Sequence, residues 1–315
     1  MAWTHPWLRV RLNVFVATYL YSQLMLPSQD EPTRRDFLKA ASAAVSGAAL
    51  GVMPAPAAAS APRASRVRLG IASYSLRYFP RPQAIAMLRT LGASYVNIKS
   101  NHLAYDASPQ EFADARDALA SANLQVVGGG TITFDDDTDA GVNRYFAYAR
   151  SAGMPLIVAA CAPAVLPRIE RYAKQYDIKI AIHNHGPEDK FYPSPYDVLK
   201  HVRGMDARMG LCIDVGHTVR TGTDVVAAIR DAGSRLHDLH LKDLRDLRDV
   251  KSQCVVGEGA IPIVDILQQL SNMHFAGCAN LEYEIDEQNP LSGMQRSMAY
   301  LRGALAGIDA STKRK

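Results

Sequence analysis

Histidine and carboxylate residues recur at the ends of four short apolar segments in the second half of the chain. These ends read His183-Asn-His185, Asp214-Val-Gly-His217, His240-Leu-Lys242-Asp243 and Glu282-Tyr-Glu284. Imidazole and carboxylate groups are costly to bury unless they are paired or bind a cation. A site that combines nitrogen and oxygen donors suits one divalent metal ion, and the pattern leaves Mn, Co, Mg, Zn and Fe open as the cofactor.

Side-chain alternation along a strand separates these residues into an inner and an outer set. Residues two apart share a face, so the first member of each pair lies deeper and the second lies nearer the strand end. We therefore predict that the metal ligands are His183, Asp214, His240 and Glu282. The same spacing leaves open that His185 is the ligand on its strand, with His183 beneath it.

The same segments and a second-strand loop supply candidates for catalysis and for substrate binding. We predict that Glu282, His183 or His185 accepts a carbon-bound proton as the catalytic base. Asp243 and Glu284 are expected to orient the ligands from behind. The candidates for substrate binding are His217, Lys242, Lys99, His102 and Glu284. Alternatively, Lys242 is a salt-bridged lysine, and Lys99 and His102 form ordinary hydrogen bonds within their loop.

Eight short apolar runs, each followed by a helical pattern, must position these residues. The predicted strands are 67–75, 95–99, 124–129, 156–160, 178–183, 210–215, 236–241 and 279–284. The predicted helices are 82–91, 109–122, 140–152, 165–176, 195–202, 224–232, 262–273 and 294–304. Strands without polar alternation, each followed by a helix, indicate an α/β fold with a covered parallel sheet.

The count and the length together favour a (β/α)₈ TIM barrel over residues 63–307, whose active site would lie at the C-terminal strand ends. An open, doubly wound sheet is the alternative, and it often carries a glycine-rich phosphate turn after its first strand. The first predicted strand ends in Ala72-Ser-Tyr-Ser75, without such a turn. Residues 308–315 are predicted to form a polar tail.

The first 62 residues have the composition of an export signal rather than of a folded domain. The motif Arg34-Arg35-Asp-Phe-Leu-Lys39 precedes an alanine-rich run and small residues at A-x-A spacing. This segment resembles the twin-arginine signal of bacteria, which implies the twin-arginine translocation machinery as a partner and a periplasmic location. We expect cleavage after Ala59 or Ala61. A disordered alanine- and proline-rich linker is the alternative interpretation.

Residues 1–24 place an apolar stretch ahead of the twin arginines, which is unusual for such a signal. We therefore expect translation to begin at Met25. A membrane anchor formed by residues 12–26 is the less favoured alternative, because the stretch is short for a span and polar residues interrupt it.

The charge balance argues against a nucleic-acid partner. The chain of 315 residues has 35 basic and 31 acidic residues, a formal charge of +4. Removal of residues 1–62 takes away five basic and three acidic residues, which leaves the barrel nearly neutral. The four cysteines lack C-x-x-C spacing, and we expect them to be buried free thiols.

Five motifs together resemble the xylose isomerase-like barrel superfamily and, within it, the sugar phosphate isomerase/epimerase group. They are Ala181-Ile-His-Asn-His185, Cys212-Ile-Asp-Val-Gly-His217, His240-Leu-Lys-Asp243, Val256-Gly-Glu-Gly-Ala-Ile261 and Asn280-Leu-Glu-Tyr-Glu284. The resemblance covers residues 66 to about 305. It implies a single divalent metal at the ends of strands five to eight, matches Asp214, His240 and Glu282 to the ligands, and places His217 against the substrate.

One position departs from the epimerases of this family, in which the fifth strand carries a glutamate and this chain has His183. Those enzymes use two glutamates as paired proton carriers, so the resemblance implies isomerisation with one base or an elimination as readily as epimerisation.

We therefore expect a metal-dependent sugar isomerase or epimerase that acts on a ketose, aldose or oxo-sugar through an enediolate, with a small-molecule sugar substrate and with homo-oligomerisation left open. A lyase or dehydratase on a 3-oxo-sugar or glycoside is the main alternative, and a non-catalytic sugar-binding barrel is another. An apurinic-site endonuclease is disfavoured by the neutral barrel and the expected export.

Overall fold

The computed structural model of the protein describes residues 67–312. The predicted export signal, the start at Met25, the cleavage at Ala59 or Ala61 and the alternative anchor at residues 12–26 all lie outside the described residues. Among the described helices, none has the length and apolar character needed to cross a bilayer.

Eight parallel strands close into a barrel, as predicted. They are β1 Arg68–Ala72, β2 Tyr95–Ile98, β3 Gln125–Phe134, β4 Leu156–Cys161, β5 Lys179–His183, β6 Met209–Asp214, β7 Leu236–Leu241 and β10 Cys278–Leu281. Around the barrel the order is β1-β10-β7-β6-β5-β4-β3-β2. Two short strands, β8 Asp243–Leu244 and β9 Gln253–Cys254, form an antiparallel pair outside the barrel sheet. The fold is a (β/α)₈ TIM barrel.

Helices follow the strands at nearly the predicted positions. They are α1 Arg81–Thr90, α2 Pro109–Ser121, α3 Asp139–Ser151, α4 Leu166–Tyr176, α5 Pro195–Val202, α6 Val215–Arg220, α7 Val225–Ala232, α8 Ile263–Asn272 and α9 Leu291–Thr312. Several begin at side-chain caps that the sequence already contains, such as the capping box of Ser108 and Glu111 before α2. The short helix α6 was not predicted, and it begins where the Asp214 side chain accepts a hydrogen bond from the His217 amide.

The last helix and the eighth barrel strand differ from the sequence prediction. Helix α9 runs to Thr312, and Ile308 is buried, so most of the predicted polar tail is helical instead. Its apolar positions pack on the core, which extends the helix beyond the polar composition of its end. Strand β10 ends at Leu281, so Glu282 and Glu284 follow the strand rather than lie within it.

The main core lies between the sheet and the surrounding helices, and the barrel interior is partly polar. Asp238 accepts hydrogen bonds from Asn97 Nδ2 at 3.1 Å and from Asn280 Nδ2 at 2.7 Å. Gly70 leaves room for this layer, because a Cβ there would lie 2.3 Å from Asn280 Oδ1. Burial raises the pKa of Asp238 to about 7. A polar floor of Asn97, Asp238 and Asn280 therefore lies inside the barrel.

All four cysteines are buried free thiols, as predicted.

The buried His237 generates a prediction about acid stability. Its Nδ1 lies 3.1 Å from the carbonyl oxygen of Ile180, and burial lowers its pKa to about 4. The unfolded chain protonates this histidine below about pH 6.5, whereas the folded chain does not until about pH 4. Its contribution to stability is therefore fully present above pH 6.5 and is lost as the pH falls towards 4.

Between pH 7 and pH 4, the free energy of unfolding should fall in both proteins. We expect this fall to be about 3 kcal/mol smaller in the H237N variant than in the unmodified protein. Asparagine keeps a donor for Ile180 but does not titrate. Denaturant unfolding followed by circular dichroism at pH 7, 5 and 4 measures this difference. The exposed His201 provides the matched control H201N, and parallel acid losses in H237N and the unmodified protein would contradict the prediction.

Candidate active site

Four neighbouring strands bring together the four residues predicted as metal ligands. His183 ends β5, Asp214 ends β6, His240 lies in β7 and Glu282 directly follows β10. One donor atom from each lies within 4.8 Å of the others, and all four residues are buried. The strands are adjacent in the barrel, and Asp214 pairs in register with His240. Closure of the sheet therefore brings together residues that are up to 99 positions apart in the chain.

The donor atoms of this group are in mutual contact. His183 Nε2 lies 3.1 Å from His240 Nδ1 and 3.6 Å from Asp214 Oδ2. His240 Nδ1 lies 3.2 Å from Glu282 Oε2. Burial lowers the pKa of His183 to about 3, so at neutral pH one of its ring nitrogens is unprotonated. Two imidazoles and two carboxylates in such a cluster could hold a divalent ion.

One buried atom of the cluster supports this fit directly. Within residues 67–312, Asp214 Oδ2 accepts no hydrogen bond, although the Lys242 ammonium lies 3.0 Å away. A buried carboxylate oxygen without a hydrogen bond is costly. The residues present therefore fit a divalent cation of borderline hardness, and the donor set does not select one metal.

Lys242 is a buried, ion-paired lysine beside the cluster. Its Nζ lies 3.0 Å from Asp214 Oδ2, 2.9 Å from Glu282 Oε2 and 2.5 Å from Glu284 Oε2. Burial alone would lower the pKa of Lys242, but the three carboxylates outweigh burial and raise it well above its usual value. The ammonium therefore neutralises carboxylates that a metal ion would share.

His185 lies above His183, nearer the solvent. Its side chain is 38% exposed, and its Nδ1 lies 3.3 Å from Asp189 Oδ2. Burial, followed by the nearby His217, lowers the pKa of His185. The structure thus places His183 among the four donors and leaves His185 outside that group with a carboxylate partner, as the inner and outer assignment predicted.

His217 and Lys99 border the same region. The His217 ring centroid lies 5.6 Å from that of His185 and 5.9 Å from that of His183. Lys99 Nζ donates to the Thr131 carbonyl at 3.1 Å. Burial lowers the pKa of Lys99, and the negative charges of Glu282 and Glu284 act against that shift.

His102 is built into the barrel wall and was expected to reach substrate. Its Nδ1 lies 3.0 Å from Ser73 Oγ, and its Nε2 lies 3.1 Å from the carbonyl oxygen of Leu76. Both ring nitrogens are therefore engaged, and the side chain connects the second strand's loop to the turn after β1. His102 therefore forms ordinary hydrogen bonds within its loop region, which was the alternative to substrate binding.

Asp243 also differs from its expected role behind the ligands. Its carboxylate accepts hydrogen bonds from the amides of Gly257, Gly259 and Ile261 at 2.9–3.1 Å. It therefore holds the glycine-containing loop after β9. A Cβ at Gly259 would lie 2.2 Å from Asp243 Oδ1, so glycine is needed there for close approach.

Three residues near the site were not assigned from the sequence. Asp238 Oδ2 lies 3.9 Å from His240 Nε2, on the side of the ring opposite the donor cluster. Alternation along β7 already placed it on the face of His240, which was the available signal. Asp189 carried no comparable signal, because loop geometry brings it to His185. Arg220 lies three residues after His217 on α6, a helix that the sequence analysis did not predict.

Solved structures provide the first comparison. A putative uncharacterized protein from Parabacteroides distasonis is 25% identical, with a TM-score of 0.61 over 76% of this chain and 99% of its own. D-Psicose 3-epimerase from Clostridium cellulolyticum H10 is 15% identical, with a TM-score of 0.62 over 76% of this chain and 99% of the epimerase. A probable 3-DHS dehydratase from Bacillus anthracis is 12% identical, with a TM-score of 0.61 over 75% of this chain and 98% of the dehydratase. These likenesses support the fold.

No curated protein matches the chain. The family model described as xylose isomerase-like TIM barrel matches residues 85–304, well over half of the chain. This match spans β2 to most of α9 and includes every donor of the buried cluster. The chain therefore belongs to the xylose isomerase-like TIM barrel family.

Proposed function

We propose that this protein is a divalent-metal-dependent sugar isomerase or epimerase that acts on the carbon next to a carbonyl group. The observation that carries this proposal is the buried convergence of His183, Asp214, His240 and Glu282 at the C-terminal strand ends, beside an outer imidazole. Barrel enzymes place their reacting groups at that face.

The four clustered residues would hold the metal ion. When bound, a divalent ion acts there as a Lewis acid that polarises a carbonyl oxygen and stabilises the negative charge that develops on it. The protein's own part is to keep His183 neutral by burial and to hold the two carboxylates ionised beside Lys242. Asp238 lies behind His240, with its Oδ2 3.9 Å from Nε2, so it contributes negative charge on that side of the ring rather than a hydrogen bond.

His185 is the residue best placed to exchange a proton with substrate carbon. Asp189 Oδ2 and His183 Nδ1 lie 3.3 and 3.4 Å from its Nδ1, so Nε2 would be the atom that accepts the proton. Its partial exposure allows contact with a bound sugar, whereas His183 and Glu282 are more deeply buried. We therefore assign the base role to His185, with Glu282 as the second candidate.

Lys242 and Glu284 would hold the substrate's oxygens. The Lys242 ammonium has three carboxylate partners and three donors, and a change in one partner frees a donor for a hydroxyl or carbonyl oxygen. Lys99 and His217 border the same space and offer further hydrogen-bond donors.

A lyase or dehydratase acting on a 3-oxo-sugar or glycoside is the second candidate function. It is favoured by one observation, the presence of His183 within the donor cluster. The family resemblance implies a glutamate at this position in epimerases that use two bases. A single outer base removes one proton, and the same enolate-type chemistry then expels a β-substituent. The two candidates differ in the product and not in the site.

Removal of one ligand is expected to weaken metal binding. The D214N and H240Q variants should bind Mn²⁺, Co²⁺ or Zn²⁺ more than about 100-fold more weakly, because the loss of an outer partner alone weakens binding by about 10- to 100-fold. Titration of metal-free protein by calorimetry measures the affinity. The exposed Asp114 on α2 supplies the matched control D114N, and unchanged affinity in both site variants would refute the ligand assignment.

Unlike replacement of a ligand, replacement of Lys242 is not expected to weaken metal binding. K242M removes a positive charge within 3.0 Å of two ligand carboxylates, so metal affinity should be retained or increased while turnover is lost. The same calorimetric titration, paired with a turnover assay, separates these effects. Loss of metal in K242M to the extent seen in D214N would indicate that the lysine is required to hold the carboxylates.

Deuterium exchange tests the reaction itself. Metal-loaded protein is incubated in deuterated water with aldoses, ketoses and 3-oxo-glycosides, and products are analysed by NMR and mass spectrometry. We expect deuterium at the carbon next to the carbonyl, and loss of this exchange in H185Q with metal binding intact. H201Q is the control for a histidine outside the site. Loss of a β-substituent would identify a lyase, and absence of exchange with every sugar would favour a sugar-binding barrel.

A further inference from the structure

Arg220, the last residue of α6, is buried to an unusual extent for an arginine. Its side chain is 5% exposed, and its Nη2 contacts Glu188 Oε1 in the loop that follows β5. Its Nη1 lies 3.2 Å from Nδ1 of His217. Glu188, Arg220 and His217 thus form a chain of a carboxylate, a guanidinium and an imidazole that leads from the surface to the candidate site.

Gly186 makes the space that this chain needs. A Cβ at this position would lie 3.1 Å from Arg220 Nη1 and 3.3 Å from His217 Nδ1, and its φ of +85° is one that glycine adopts readily. The loop after β5 therefore supplies both the gap for Arg220 and its carboxylate partner, Glu188.

The contact between Arg220 and His217 has only one chemical meaning. A guanidinium donates hydrogen bonds and accepts none, so His217 Nδ1 must be the acceptor and cannot carry a proton. The proton of the neutral ring then resides on Nε2, at the other edge of the imidazole. Arg220 thereby selects the tautomer of His217.

His217 lies at the candidate active site. His217 and Arg220 line a cavity of about 20 Å³ together with Lys242 and Glu284, which is room for about one water molecule. The His217 backbone amide also donates to Asp214 Oδ1 at 2.9 Å, which fixes the residue's main chain beside the donor cluster. His217 is therefore held through both its main-chain amide and its ring Nδ1.

We propose that Arg220, braced by Glu188, is a positioning residue that holds His217 as the Nε2–H tautomer, so that this N–H donates to a substrate oxygen beside the metal ligands. The part that concerns substrate rests on the proposed sugar-converting function. A hydroxyl or carbonyl oxygen of a sugar accepts such a hydrogen bond, whereas the opposite tautomer would present a lone pair and repel the same oxygen.

The test begins with the tautomer, which is independent of metal and turnover. Long-range ¹H–¹⁵N NMR of ¹⁵N-histidine-labelled, metal-free protein at pH 8 should show His217 with a bare Nδ1 and a protonated Nε2. R220M should give a mixture of tautomers, and R220K, which restores a donor, should recover the original form in part. The exposed Arg230 on α7 provides the matched control R230M. A protonated Nδ1 in the unmodified protein, or an unchanged tautomer in R220M, would overturn the proposal.

Kinetics with the sugar identified by deuterium exchange tests the role in substrate binding. R220M should lower kcat/KM by at least about tenfold, with partial rescue in R220K and an unchanged metal affinity. Unchanged kcat/KM in R220M would reject the substrate-binding part. If no sugar is converted but R220M still scrambles the tautomer, the proposed function fails while the positioning of His217 stands.

Discussion

The burial of ionisable groups at one end of the barrel is the constraint on which the rest of this structure depends. Two carboxylates, two imidazoles and one ammonium group lie within contact distance of one another, and all are withdrawn from water. Burial opposes the charged form of each group, so they persist only as a mutually compensated set. Lys242 offsets the carboxylates, and His183 escapes the cost by remaining neutral.

Residues below and above this buried cluster contact its outer members. Beneath it, Asn97 and Asn280 hold Asp238 behind His240, and Gly70 leaves the space for that layer. Above it, Asp189 contacts Nδ1 of His185, and Arg220 contacts Nδ1 of His217. Asp243, which lies in the same motif as Lys242, turns away and holds the loop after β9. His185 and His217 thus each have a partner at Nδ1.

Much of the fold and of the inner cluster could be predicted because both rest on local periodicity. Apolar runs of strand length recur before helical patterns, and the bounds of β7 and α5 were predicted without error. Residue type at the strand ends then indicated His183, Asp214, His240 and Glu282, and strand alternation separated His183 from His185. The misplaced residues all depend on contacts that are distant in sequence. His102 is engaged by Ser73 and Leu76, and the end of α9 is helical because Ile308 packs on the core.

The sequence by itself determined the barrel, its family resemblance and the chemical identity of the donors, because periodicity and residue type are written along the chain. Only the tertiary structure decided which nitrogen or oxygen meets which partner. That choice depends on loop conformation and on packing between strands, as where Gly186 admits Arg220 to the edge of His217. Side-chain chemistry could therefore be read in advance, whereas the direction of each hydrogen bond required the closed barrel.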